Sequence, residues 1–143
     1  MTNKTALAKA AAEVMWRDDN VSKWLGMKLE EVRPGYARMS MTVTPNMVNG
    51  HNFCHGGLIF TLADSTFAFA CNSHNQRTVA TGCSIEFLAP AFLGDALTAE
   101  GAEQALKGRT GVYDTKVSNQ KGELIALFRG KSATIKGVLV EDA

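Results

Sequence analysis

Leu58-Ile59-Phe60-Thr61-Leu62-Ala63-Asp64-Ser65-Thr66-Phe67-Ala68-Phe69-Ala70-Cys71-Asn72-Ser73 is the stretch that decides the fold. It holds neither Gly nor Pro, and its apolar side chains fall on every side of a helical wheel. A helix of that kind belongs inside a protein. Upstream, residues 5–17 suit an amphipathic helix that ends at Asp18-Asp19-Asn20. Residues 27–32 read as a strand and Pro34-Gly35 as a turn. Residues 37–43 then alternate apolar and polar, the period of a half-buried antiparallel strand. Downstream, strand-like segments cover 78–88, 96–105, 111–118 and 123–135, separated by turn signals. Strands joined by short turns are expected to be antiparallel neighbours. The economical architecture is α+β: a curved antiparallel sheet wrapped around a long central helix, its other side facing water or a second subunit.

Composition sets outer limits. The chain has 143 residues, 45% apolar and 20% charged, and neither repeat nor linker interrupts it. One compact domain over 1–143 is expected. No apolar run approaches the roughly 20 residues of a bilayer-spanning helix, and residues 1–12 lack the apolar core of a secretory signal. A net charge of +1 carries no nucleic-acid footprint. Cys54, Cys71 and Cys83 are odd in number and lack C-x-x-C spacing, which argues against a disulfide framework or zinc knuckle. The expectation is a cytoplasmic protein with no membrane or nucleic-acid partner.

Asp64 is out of place in the apolar helix. It shares a stripe with Phe60, Phe67, Ala68 and Cys71. Aspartate is almost never fully buried without a partner. Either it caps a loop or bonds to Ser65 or Thr66, or it is a catalytic base or nucleophile lining a cleft. The helix start is the second candidate. His55-Gly56-Gly57 precedes the first turn, where N–H groups lack partners and the dipole is positive. A carbonyl oxygen docked there would meet a donor aimed at its developing charge; the alternative is two glycines ending a loop. Gly56 and Asp64 lie eight residues apart, about 12 Å along one helix. They cannot both reach one carbonyl within a single chain. Two antiparallel helices facing each other across a two-fold axis would bring them together. If both groups are catalytic, the enzyme is at least a dimer with paired sites at the interface.

The motif from Asn49-Gly50-His51-Asn52-Phe53-Cys54-His55-Gly56-Gly57 through Phe60-Thr61-Leu62-Ala63-Asp64 to Ala68-Phe69-Ala70-Cys71-Asn72-Ser73 resembles the hotdog-fold acyl-CoA thioesterases. More narrowly, it resembles their PaaI type, associated with phenylacetate degradation. The likeness continues through Phe87-Leu88-Ala89-Pro90, Gly108, Thr110-Gly111-Val112-Tyr113-Asp114 and Phe128-Arg129-Gly130-Lys131. It implies a hotdog domain with a core over about 15–137, and Asp64 as nucleophile or as base for a water. It also implies that the Gly56 amide of the opposite subunit polarises the thioester carbonyl, while Asn49 and His55 orient water, carbonyl or loop. No metal or bound cofactor is implied, and the expected assembly is a dimer of dimers, a homotetramer. The implied substrates are aryl-acyl-CoA thioesters such as phenylacetyl-CoA and its hydroxylated relatives. Close relatives often carry a basic residue where this chain has Ala89.

Other residues have two readings each. Lys107-Gly108-Arg109 places two cations at a strand turn, suited to coenzyme A phosphates or to an ordinary hairpin tip. Arg77 and Arg129 are weaker candidates for the same contact. His51 and His55 have zinc-like spacing, but the segment suits a loop and no third ligand stands nearby. Cys54 and Cys71 read as nucleophiles or as small buried hydrophobes. Asn49-Gly50 is alternatively a plain turn. Two other functions use the same residues: an enoyl-CoA hydratase built on His55 and Asp64, and a non-catalytic acyl-CoA-binding module.

Overall fold

The structure is a computed structural model describing residues 3–141. The outermost positions of the domain expected over 1–143, and of the 1–12 segment read for a leader, lie outside the described residues. Helix α1 (Lys4–Arg17) starts at Asn3, whose side-chain oxygen accepts from the Thr5 and Ala6 amides at 2.8 and 3.3 Å. Those donors have no helical partner, so the cap favours a start there. The break at Asp18-Asp19-Asn20 leads to a second helix, α2 (Asn20–Trp24). Asp19 caps it, accepting from the Ser22 amide at 3.1 Å and the Ser22 hydroxyl at 2.7 Å. Five residues are too few to leave a periodic signal in sequence.

The central helix is α3 (Gly56–Cys71), two residues earlier at each end than the composition suggested. Six strands form one antiparallel sheet: β1 (Lys28–Arg33), β2 (Tyr36–Thr42), β3 (Thr78–Phe87), β4 (Ala96–Lys107), β5 (Thr110–Ser118) and β6 (Leu124–Thr134). Their spatial order is β1-β2-β4-β5-β6-β3. The neighbour rule holds for β1–β2, β4–β5 and β5–β6 but fails for β3 and β4. The link from Leu88 to Asp95 is a crossing, not a hairpin turn. Leu88 and Ala89 donate to the Ile125 carbonyl, and Val43 and Asp95 then tie the start of β4 to the end of β2. Strand β3 is thereby left at the far edge with β6 as its one neighbour.

One face of α3 lies on the sheet. Leu62, Ala63, Phe67 and Ala70 pack among Met39, Leu97, Tyr113, Val117 and Phe128, all buried. The opposite stripe, Gly57, Thr61, Asp64 and Ala68, remains exposed or half-buried. A helix apolar all round is therefore not wholly enclosed by one chain. Phe67 rests directly on Gly130 of β6: a Cβ there would sit 2.7 Å from its ring. Phe67 is itself 1% exposed and has nowhere to go. Gly130→Ala is expected to destabilise the fold by about 1–3 kcal/mol through overpacking. Urea unfolding followed by circular dichroism checks this; an unchanged midpoint would show that the ring relocates freely.

Candidate active site

The loop before α3 prepares its N-terminus. His55 is the cap, and its Nδ1 accepts from the Gly57 amide at 3.3 Å, which leaves the ring proton on Nε2. The Leu58 and Ile59 amides turn back to the His55 carbonyl. The Gly56 N–H alone of this first turn has no acceptor among the described residues. It opens on a cleft of about 370 Å³ that Asn49, Ile59, Phe87 and Ala89 help to line. An unpartnered amide at the positive end of a sixteen-residue helix is a donor poised for a carbonyl oxygen or an anion. The absence of a side chain also matters here. A Cβ on Gly56 would stand 3.1 Å from the Phe87 ring, filling space over the amide.

Asn49 has two ends with different fates. Its side-chain oxygen accepts from the His51 and Phe53 amides at 2.9 and 3.2 Å, and its own amide donates to the Phe53 carbonyl. The plain-turn reading is therefore realised in full by the oxygen. The Nδ2 group makes no hydrogen bond among the described residues, and Asn49 is one of the residues that line the cleft.

Asp64 lies two turns further along α3, half-buried. No hydrogen-bond partner reaches its carboxylate among the described residues. The local alternatives are already taken: Ser65 Oγ lies 3.0 Å from Ser22 Oγ, and Thr66 donates to the Leu62 carbonyl. Burial pushes the Asp64 carboxyl above the ordinary aspartate value. A carboxylate kept desolvated and unpaired has its basicity raised, as a base or nucleophile requires. Yet Asp64 does not line the Gly56 cleft. With both on one uninterrupted helix, about 12 Å separates them.

Residues 51–126 match the thioesterase superfamily. The acyl-coenzyme A thioesterase PaaI of Escherichia coli is 46% identical over 132 residues, 92% of this chain and 94% of that one. This chain belongs to the thioesterase superfamily. A solved structure of the E. coli PaaI protein, from the phenylacetic acid degradation operon, superposes on the thioesterase with a TM-score of 0.93. It covers 95% of this chain and 99% of that one at 44% identity. A Streptococcus mutans protein solved with acetyl-CoA bound aligns with a TM-score of 0.76 at 26% identity, covering 78% of this chain and 90% of that one. The hotdog architecture of sheet and central helix is thus the thioesterase fold.

The remaining candidates of this thioesterase spread out. Lys107, Gly108 and Arg109 form the β4–β5 turn, with Gly108 at a φ of +58° that favours glycine. Gly108 shares a small cavity with Cys71, at the C-terminal end of α3. That is the end opposite Gly56, so within one chain the turn and the amide are far apart. Arg109 Nε donates to the Thr134 carbonyl at 3.2 Å. Arg129 is engaged: it grips Asp114 with two bonds of 2.7 and 2.8 Å, which removes it as a free phosphate ligand. Burial pushes the Cys54 thiol up to about 11 and the Cys71 thiol up to about 12, so neither is a ready nucleophile. His51 is exposed and stacks near Phe53, and no metal-holding group of His, Cys, Asp or Glu occurs among the described residues. No helix among them is long and apolar enough to cross a membrane.

Three residues stand at the site without having been given a role there by the sequence. Phe87 covers Gly56, and the Cys83 thiol on β3 is pushed up by partial burial and then by the nearby Asp64 charge. Ser22 ties α2 to α3 beside Asp64. Only Ser22 carries a signal, as a polar residue three positions after a capping aspartate.

Proposed function

We propose that this thioesterase hydrolyses aryl-acyl-CoA thioesters, phenylacetyl-CoA and its hydroxylated derivatives among them, to free acid and CoA in phenylacetate degradation. The observation that carries the reading is the pairing of a free Gly56 N–H with an unpartnered Asp64 on one helix, too far apart to act together in one chain. Two copies related by a two-fold axis, their α3 helices antiparallel, bring each Gly56 opposite the partner's Asp64. The uncovered stripe of α3 and the free edge of β3 supply the surface for that pairing. A homotetramer would be two such dimers. The thioester carbonyl accepts from the Gly56 N–H, which stabilises the oxyanion as the carbon is attacked. The partner's Asp64 either attacks the carbonyl carbon, expelling CoA thiolate and leaving an anhydride for water to open, or takes the proton from an attacking water. Asn49 Nδ2 and His55 Nε2 are the donors left to orient water or carbonyl.

The same symmetry gives Lys107 and Arg109 a use. With Gly56 opposite the partner's Asp64, the partner's helix runs on past Gly56, carrying its β4–β5 turn beyond the cleft. The two cations would meet the phosphates of coenzyme A from across the interface. The unpaired cysteines fit a reducing cytoplasm. A thiol-release screen over short, long-chain and aromatic acyl-CoAs tests the reading, with the highest kcat/KM expected for aromatic ones. Tight binding without thiol release would replace the enzyme with a binding module. Hydration of crotonyl-CoA with its thioester intact would replace it with a hydratase.

A further inference from the structure

Four cations, Arg77, Lys107, Arg109 and Lys136, gather at the corner of the sheet where β4 turns into β5, β3 begins and β6 ends. All four are exposed, and none forms an ion pair among the described residues, whereas Arg33, Arg38 and Arg129 each have a carboxylate. An open cleft of about 400 Å³ lies at this corner, walled by Arg109, Thr134, Ile135 and Lys136. No Asp or Glu is among its walls. Ile135 is 45% exposed, an apolar surface set among the charges.

Backbone bonds stitch the corner together. The Thr134 amide donates to the Arg109 carbonyl at 2.8 Å, and Arg109 Nε donates to the Thr134 carbonyl at 3.2 Å. The Ile135 amide donates to the Arg77 carbonyl at 2.7 Å, and the Arg77 amide to the Gly137 carbonyl at 3.1 Å. The Arg77 stem lies against Gly137, where a Cβ would stand 3.1 Å from it. Residues 134–137 are thus fixed between two arginines, and little ordering has to be added when a ligand binds. The terminal nitrogens of Arg109 make no bond among the described residues, and a guanidinium can both grip a phosphate and stack on a flat ring.

Thr134 also lines the small cavity that holds Cys71 and Gly108, so the corner continues from the C-terminal end of α3. That end lies about 10 Å along the helix from Asp64. In the paired arrangement above, the partner's corner therefore stands beyond the Gly56 cleft, at a separation that the pantetheine arm of coenzyme A spans. The far end of that arm carries a 3′-phosphate close to an adenine ring, an anion beside a flat apolar face. Resting on the thioesterase reading above, we propose that Arg77, Arg109 and Lys136 hold the 3′-phosphate of coenzyme A, with the adenine against Ile135. The diphosphate has no apolar neighbour to match Ile135. The same contact favours a free CoA thioester over one carried on a protein's phosphopantetheine, which lacks the adenosine 3′-phosphate.

The test sets phenylacetyl-CoA against phenylacetyl-3′-dephospho-CoA by thiol release in the parent, Arg77→Ala, Lys136→Ala and Lys116→Ala. Lys116 is an exposed β5 cation outside the corner and controls for the loss of net charge. In the parent, removing the 3′-phosphate is expected to raise KM about tenfold, and in Arg77→Ala or Lys136→Ala this discrimination should fall to about threefold. Lys116→Ala should discriminate as the parent does. Calorimetric titration with adenosine 3′,5′-bisphosphate reads the same corner without turnover, and the parent should bind it about threefold more tightly than either corner variant. A parent that does not discriminate, or corner variants that discriminate as well as the parent, would overturn the proposal. So would an equal loss in Lys116→Ala. A parent that releases thiol from no acyl-CoA would refute the functional reading instead, and the bisphosphate titration would then decide the corner on its own.

Discussion

Asp64→Asn is expected to lower kcat by about 10²–10⁴ and at the same time to raise the melting temperature at neutral pH. Both effects have one cause. Burial raises the Asp64 carboxyl above its ordinary value of 3.8 in the folded chain, with no cation or hydrogen bond to offset the desolvation. A raised carboxylate pKa means that folding favours the neutral form. The resulting destabilisation is absent below the unfolded pKa and grows as pH rises through the window up to the folded one. Asparagine has similar shape and no charge, so the variant should melt above the parent at neutral pH. The gap should close as pH falls toward 3.8. The parent's kcat should fall over the same window, because attack on a thioester requires the ionised form. Saturating thiol-release rates and calorimetric scans from acid to neutral pH measure both. A variant with the parent's kcat would remove Asp64 from the chemistry, and one that melts lower at neutral pH would mean the carboxylate has a partner. The combination expected here is the ordinary trade of stability for activity at a site.

Much of this is legible without any coordinates. Asp64 is conspicuous because a carboxylate amid Phe60, Phe67 and Ala68 contradicts the apolar pattern around it. The central helix follows from a long apolar run without Gly or Pro, and the six strands from strand-like segments separated by turn residues, with strict alternation over residues 37–43. The placement of β3 does not. Local turn chemistry says that a chain reverses, but the segment after Phe87 is long enough to carry it across the sheet, and no local signal chooses between β4 and β6. Helix α2 escapes because one turn and a half has no period to detect, although Asp19 is visible as a cap. Asn49 shows a different limit. The sequence singles it out as part of the loop, yet only geometry tells that its oxygen is spent on two backbone amides while its nitrogen is not. Arg129 is similar: Asp114 neutralises it from the adjacent strand, a pairing set by the register Asp114↔Arg129.

Gly56→Pro should separate the donor from everything else about its position, with an expected loss of about 10²–10³ in kcat. Gly56 is the first residue of α3, where proline's fixed φ suits the helix and its missing N–H breaks no internal bond. His55 before it is already extended, at φ −58° and ψ 131°, as a residue preceding proline prefers. The added ring atoms meet Phe87, which is 53% exposed and free to swing aside. The fold should therefore survive while the oxyanion donor is gone. Co-expressing this variant with Asp64→Asn then tests the interface itself. In a mixed dimer one site combines the intact Gly56 of the Asp64→Asn subunit with the intact Asp64 of the Gly56→Pro subunit, while the second site lacks both groups. Random assortment of equal amounts makes about half the dimers mixed, each with one working site of two, so the mixture should recover about a quarter of parental activity. Each variant alone should stay near its own low rate. A site complete within one chain predicts no recovery at all, so a mixture no faster than its components would show that Gly56 and Asp64 do not act together across subunits.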